Sequence, residues 1–128
     1  MSGPVAGGIR ILPVRGLPEV TPGDDLAEMI ARMAELADGD VVVVTQKVVS
    51  KAEGRLVDLD PEVGHRPLVE AESVRVLRRR GDLVISETTH GFVCANAGVD
   101  LSNVAEGTAA LLPVAPDRSA RRIRDALR

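Results

Sequence analysis

Short apolar runs alternate along this chain with breaks rich in Gly, Pro and Asp, and the spacing inside each run indicates the element it forms. Leu26, Met29, Ile30, Met33 and Ala37 recur at helical spacing, while Glu28, Arg32 and Glu35 fall off that face, which predicts a helix through about Leu36. Thr21-Pro22 followed by Asp24 and Asp25 marks its start, since acidic side chains in a first turn complement the helix dipole. Asp38-Gly39-Asp40 ends it and leads into residues 41–45, Val-Val-Val-Val-Thr, a β-branched run without alternation that predicts a central strand covered on both faces. An earlier strand is expected over residues 9–14, behind a small, Gly-rich leader at residues 1–8 expected to be disordered.

Beyond the polar stretch 50–55 lies an apolar-rich piece, 56–59, and then a loop over residues 60–67 marked by two prolines and Gly64. Ala71, Val74 and Leu77 form one stripe of a second expected helix over 69–80, with Arg78-Arg79-Arg80 as cations in its last turn and Gly81 just past it. Residues 83–87 read as a third strand and 111–114 as a short fourth. Asp117 opens an amphipathic helix with Ala120, Ile123 and Leu127 inward. Interleaved strands and helices predict an α/β or α+β layer architecture, a mixed sheet with flanking helices. The sequence ends inside the last helix with no capping glycine, so residues 9–128 read as the N-terminal part of a truncated domain.

Composition narrows the class. A chain of 128 residues makes about one domain and can bury roughly two thirds of its unfolded surface. With Phe92 as its one aromatic residue, the core must be aliphatic. A net charge of −3 with interspersed signs disfavours nucleic acid and anionic membrane surfaces as partners. The single cysteine, Cys94, excludes an internal disulfide, no signal segment opens the chain, and no apolar run approaches the roughly 18 residues that span a bilayer. A soluble, cytoplasmic protein is expected.

Three segments can carry chemistry. Residues 89–103, THGFVCANAGVDLSN, concentrate glycines, asparagines and a carboxylate, and read as a ligand loop. Asp100, on backbone that Gly98 allows to be irregular, is a plausible oxygen ligand for Mg²⁺ or Mn²⁺; equally, it caps a turn. His90 and Cys94 are read as a hydrogen-bonded and a packing residue, with Phe92 also packing. Residues 13–20 form a turn between strand and helix, where exposed N–H groups suit an anion or a purine edge, or serve only as a connection. Residues 45–55 hold two lysines, an arginine and hydroxyls, suited either to phosphate or to a solvated edge, without the glycine spacing of a P-loop.

Gly16-Leu17-Pro18, Gly23-Asp24-Asp25-Leu26, Asp38-Gly39-Asp40, Ser50-Lys51-Ala52-Glu53-Gly54-Arg55, Asn96-Ala97-Gly98-Val99-Asp100 with Ser102-Asn103-Val104, and Leu111-Leu112-Pro113 with Asp117 and Ser119-Ala120, in this order, resemble the coenzyme F420-0:gamma-glutamyl ligase family. The resemblance runs from about Ile9 to Arg128, and residues 68–81 look most like the actinobacterial members in which the ligase is the N-terminal domain. It implies part of the F420 ligase fold and a GTP-dependent enzyme that joins L-glutamate to the deazaflavin precursor F420-0 through an acyl phosphate, assisted by Mg²⁺ or Mn²⁺, with K⁺ as a further candidate cofactor.

By the same resemblance, Leu17, Pro18, Glu19 and Val20 match the guanine-nucleotide loop, Lys51 a nucleotide-contacting lysine, Asn103 a nucleotide contact and Asp100 a metal ligand. Gln46 matches a nucleotide position where the family more often has serine. No residue is assigned as a protein nucleophile. The family continues with an Asp-Thr motif that supplies further metal ligands, so the 128 residues alone are expected to have little or no ligase activity, and to form a homodimer or associate with a missing C-terminal half. The alternative is a non-catalytic fragment or split subunit that binds nucleotide or deazaflavin.

Overall fold

A computed structural model describes residues 7–128. The leader expected over 1–8 falls mostly on residues 1–6, outside the described residues. Among the described residues, four helices and two antiparallel sheets make an α+β fold. The helices are α1 (Leu26–Met33), α2 (Gln46–Ala52), α3 (Arg66–Glu72) and α4 (Pro116–Ala126). One sheet pairs β1 (Leu56–Asp58) with β5 (Thr108–Ala110), the other is a meander of β2 (Ser73–Arg80), β3 (Leu83–Thr88) and β4 (Val93–Ala95), and a 3₁₀ turn covers Asn96–Gly98.

The helix predicted after Thr21-Pro22 forms as α1; it begins with the apolar stripe at Leu26, with Asp25 as its cap rather than in its first turn, and ends at Met33, short of Leu36. Asp24 accepts from the Thr21 amide at 2.7 Å, closing a turn before the helix, and Asp25 caps it by accepting from the Glu28 amide at 3.0 Å. The strand expected at 83–87 is β3. The helix expected from Asp117 is α4, with Ile123 and Leu127 half-buried; Ala120 is exposed, and Ser119 takes the inward position through its hydrogen bond to Glu53.

Four expectations are corrected. Residues 9–14 form no strand: Ile9, Ile11 and Leu12 stand in solvent. Residues 41–45 are extended but unpaired, with Val41 85% and Val43 87% exposed, because no described strand lies alongside to complete the ladder. Val42 and Val44, on the other face, are half-buried, and Val44 packs against the α1–α2 cluster. The helix expected over 69–80 stops at Glu72; Ser73 turns extended (φ −99°, ψ 129°), and the following residues pair with β3 instead, Ser73 facing Thr88, Arg75 facing Glu87 and Val76 facing Ser86, with Val74 and Leu77 at shifts in the register. Arg78, Arg79 and Arg80 therefore lie on an exposed edge strand, where charge discourages further pairing. The last strand is Thr108–Ala110 rather than 111–114, since these residues hold the register with β1, Leu56 facing Ala110.

The core divides in two. Val69, Val84, Ala97, Val99, Ala109 and Leu111 pack between α3 and the sheets, and Val20, Leu26 and Val49 join α1 and α2 beneath α4. Both are built from small aliphatic side chains, so backbones approach closely.

Candidate functional site

Helix α2 organises the site. Val48, Val49 and Ala52 turn toward the α1 side of the core, which leaves Lys47 and Lys51, four residues apart, on another face about one turn from each other. Ser50 is fully buried; its Oγ donates to the Leu111 carbonyl at 2.6 Å and receives Gln46 Nε2 at 2.7 Å, which clamps the helix to the strand leaving β5. Arg55 reinforces the same seam, donating to the Leu112 carbonyl at 2.9 Å and pairing with Glu72 at 3.0 Å.

At one end of the lysine face, Lys51 pairs with Glu19, so the loop Leu17-Pro18-Glu19-Val20 is brought onto α2. Leu17, Pro18 and Glu19 are exposed, whereas Val20 is buried against Leu26 and Val49 and anchors the loop. At the other end, Lys47 Nζ lies 2.9 Å from Asp100 Oδ2 and donates to Ser102 Oγ at 2.7 Å. Asp100 Oδ1 accepts from the Ser102 amide at 2.8 Å and from its hydroxyl at 2.7 Å.

The backbone that delivers Asp100 is unusual. Asn96 (φ 51°), Ala97 (φ 52°) and Gly98 (φ 74°) are left-handed in succession, and Asn103 (φ 51°) follows on the far side. These are the three non-glycine residues with positive φ among the described residues, and all flank Asp100. The turn is held by three devices. Asn96 Oδ1 accepts from the Val84 amide at 3.0 Å, Ala97 is buried, and Asp100 exchanges two backbone hydrogen bonds with Ala110, at 2.9 and 2.8 Å. Gly98 is required, since a Cβ there would stand 2.6 Å from Leu112 Cγ.

The electrostatics follow. The hydrogen bond from Lys47, then those from Ser102, hold the Asp100 carboxyl down from 3.8 to about 2, so it is ionised at neutral pH. Burial raises the Cys94 thiol above its usual value, which fits a packing residue. Among the described residues no three His, Cys, Asp or Glu side chains gather to hold a metal ion. Asp100 is nonetheless a hard, ionised oxygen donor, which suits a Mg²⁺-type cation that takes one carboxylate from protein and other ligands from phosphates. Asn103 is exposed on the turn after Ser102.

Of the residues expected from sequence, Glu19 and Lys51 meet directly, Gln46 at the start of α2 bonds instead to Ser50 and the Leu111 carbonyl, and Asp100 is reached through Lys47. Lys47 was missed, although its spacing of four from Lys51 is a helix-face signal. Phe92, expected to pack, is 48% exposed and stacks on His90, ring centroids 5.4 Å apart.

The family model for F420-0:Gamma-glutamyl ligase matches residues 16–128. The chain belongs to the F420-0:gamma-glutamyl ligase family. Coenzyme F420:L-glutamate ligase of Methanopyrus kandleri is 46% identical over 138 residues, covering 94% of this chain and 54% of that protein. The Methanothermobacter thermautotrophicus protein of the same name is 44% identical, over 91% of this chain and 54% of its own length. That of Archaeoglobus fulgidus is 39% identical, over 91% and 53%. The chain thus spans about half the length of the curated relatives it matches. In this ligase family member the matched region holds both the α2 lysines and the Asp100 turn. No described helix is long and apolar enough to cross a membrane.

Proposed function

We propose that this chain supplies the nucleotide-binding part of a cytoplasmic, GTP-dependent ligase that joins L-glutamate to F420-0 in coenzyme F420 biosynthesis. The observation that carries the reading is the strip Glu19, Lys51, Lys47, Asp100: two ammonium groups one helical turn apart, ending on an ionised carboxylate. Relatives named coenzyme F420:L-glutamate ligase supply the substrate class.

In this reading the F420-0 carboxylate attacks the γ-phosphorus of GTP, GDP leaves, and an acyl phosphate forms. The glutamate amine then attacks the acyl carbon, phosphate departs, and the amine loses a proton to solvent. No protein nucleophile is needed; positioning and charge neutralisation do the work. Lys47 and Lys51 meet phosphate oxygens, with Glu19 releasing Lys51 as the nucleotide arrives. Leu17 to Val20 and Asn103 border the nucleotide, and Gln46, tied to Ser50, contributes to the same wall. Asp100 would hold a divalent cation, Mg²⁺ or Mn²⁺, which would supply charge to offset that of the phosphates. K⁺ is a further cofactor of the proposal, tested by comparing K⁺ with Na⁺ buffers.

Exposed Ile9, Ile11 and Leu12 support assembly with more ligase polypeptide, either a second copy or the further length that the relatives carry.

Calorimetry of GTP with Mn²⁺ tests the nucleotide site. The expected result is Mn²⁺-dependent GTP binding that Asp100→Ala weakens at least tenfold. Metal-independent GTP binding, unaffected by Asp100→Ala, refutes the role given to that carboxylate.

A further inference from the structure

The mechanism above leaves the acceptor without a place, and one feature of the fold has no part in the nucleotide strip. The side chain of Phe92 stands 48% exposed, with its ring stacked on His90 at a centroid distance of 5.4 Å and an interplanar angle of 14°. The pair is fixed from behind. His90 Nε2 donates to the Pro113 carbonyl at 2.7 Å, which in the neutral ring leaves Nδ1 to accept from the Thr88 hydroxyl 3.1 Å away. Thr88 Oγ1 in turn receives the Phe92 amide at 3.2 Å and the His90 amide at 3.3 Å. A half-exposed aromatic ring in so rigid a mount is a flat apolar face offered to solvent.

Phe92 lines a groove of about 1360 Å³, whose wall also includes Val44, Gln46, Leu112 and Pro113. Gln46 is the residue before Lys47, so the groove reaches the N-terminal end of α2, where the nucleotide strip meets Asp100. An acceptor carboxylate must lie beside the γ-phosphate, so its binding surface must adjoin that strip. We infer that the Phe92–His90 pair is the stacking platform for the deazaflavin ring of F420-0, which lies along this groove with its carboxylate end toward Lys47. The inference rests on the ligase reading and adds the acceptor subsite to it. Stacking on an aromatic side chain is tolerant of ring substituents but demands a planar π-system. Phe92 thus selects a planar ring, leaving the choice of carboxylate to the lysine end.

Titration of this chain with F420-0, read by quenching of the deazaflavin fluorescence, tests the platform, with GTP–Mn²⁺ binding measured on the same samples. The expected result is that Phe92→Ala weakens F420-0 binding on the order of tenfold, Phe92→Tyr retains it, and GTP–Mn²⁺ binding stays unchanged in both. The exposure of Phe92 means both variants keep the fold, which circular dichroism verifies. Equal F420-0 affinity in wild type and Phe92→Ala overturns the platform and leaves the ligase reading intact. So does GTP–Mn²⁺ binding without any F420-0 uptake, which assigns the groove to protein contacts. Loss of both ligands in wild type counts against both.

Discussion

Replacing Lys47 by Met removes the cation that faces Asp100 while keeping the aliphatic stem. The Asp100 carboxyl stands at about 2 instead of 3.8, first because of Lys47 and then because of the two Ser102 donors. At 1.36 kcal/mol per pKa unit that difference corresponds to roughly 2 kcal/mol, shared among three donors. The Asp100 side chain is 36% exposed, so solvent screening reduces the lysine's part to about 1 kcal/mol or less. The sign is set by a depressed carboxyl. Its stabilisation is fully present above the ordinary value of 3.8 and is lost as pH falls through about 2.

In Lys47→Met the carboxyl therefore rises toward 3.8, held partly down by Ser102, and the variant is destabilised by about 1 kcal/mol at pH 7. The deficit shrinks as both proteins are acidified toward pH 2. The assay is an NMR titration of the Asp100 carboxyl carbon, paired with urea unfolding at pH 2 to 6. A second readout is Mn²⁺ binding without nucleotide, which strengthens roughly fivefold once no ammonium competes for the carboxylate. The same titration midpoint in variant and wild type refutes the reasoning, since it places the lysine away from Asp100 in solution.

Gly98→Ala places a Cβ at φ 74° and 2.6 Å from Leu112, so unfolding midpoints in urea fall by an amount equivalent to roughly 2–4 kcal/mol. Asp25→Ala removes the cap on the Glu28 amide and costs about 1 kcal/mol by the same measurement, with ligand binding unaffected. Ser50→Ala strips the clamp on the Leu111 carbonyl and the acceptor of Gln46, a loss of roughly 1–3 kcal/mol, accompanied by increased amide exchange in α2. Lys51→Met weakens GTP by about tenfold in calorimetry and leaves unfolding nearly unchanged, because its partner Glu19 is exposed.

Elements with one clear period were readable in advance. α1 and α4 show a helical stripe with acid at the start, and β3 alternates buried and half-buried residues behind a Gly-Asp turn. Where two periods fitted one stretch, pairing decided: Ala71, Val74 and Leu77 suit a helix, yet Arg75, Val76 and Arg78 to Arg80 enter a ladder with β3, and Val74 and Leu77 fall at shifts in its register. The reading of 41–45 failed differently. Four valines imply burial on both faces, but burial depends on neighbours that a single stretch cannot reveal, and among the described residues those neighbours are not present. Of the candidate site, Asp100 was proposed from the residues of its own loop, and Lys51 and residues 17–20 were named individually only through family resemblance. Lys47 was overlooked because α2 was not recognised as a helix: the valine run before it looked like a strand reaching to Thr45, which hid the stripe of Val48, Val49 and Ala52.

The scarcity of large side chains, which first looks like a weakness of this core, is what lets the Asp100 turn exist. Ala109 and Ala110 have no exposed surface and Ala97 only 1%, so the strand β5 and the left-handed turn pack backbone against backbone. A non-glycine residue in the left-handed region costs on the order of 1 kcal/mol and persists only where the surroundings over-determine it. Here they do: a buried alanine fills its slot, Asn96 satisfies the Val84 amide, and Ala110 pairs on both sides with Asp100. The same close approach brings the strand after β5 within reach of Ser50 on α2, which fixes Lys47 opposite the carboxylate. A larger aromatic core would separate these segments and leave the lysine and the aspartate on surfaces that do not meet. The aliphatic composition is therefore a condition of the site, and the one aromatic residue is free to stand at the groove.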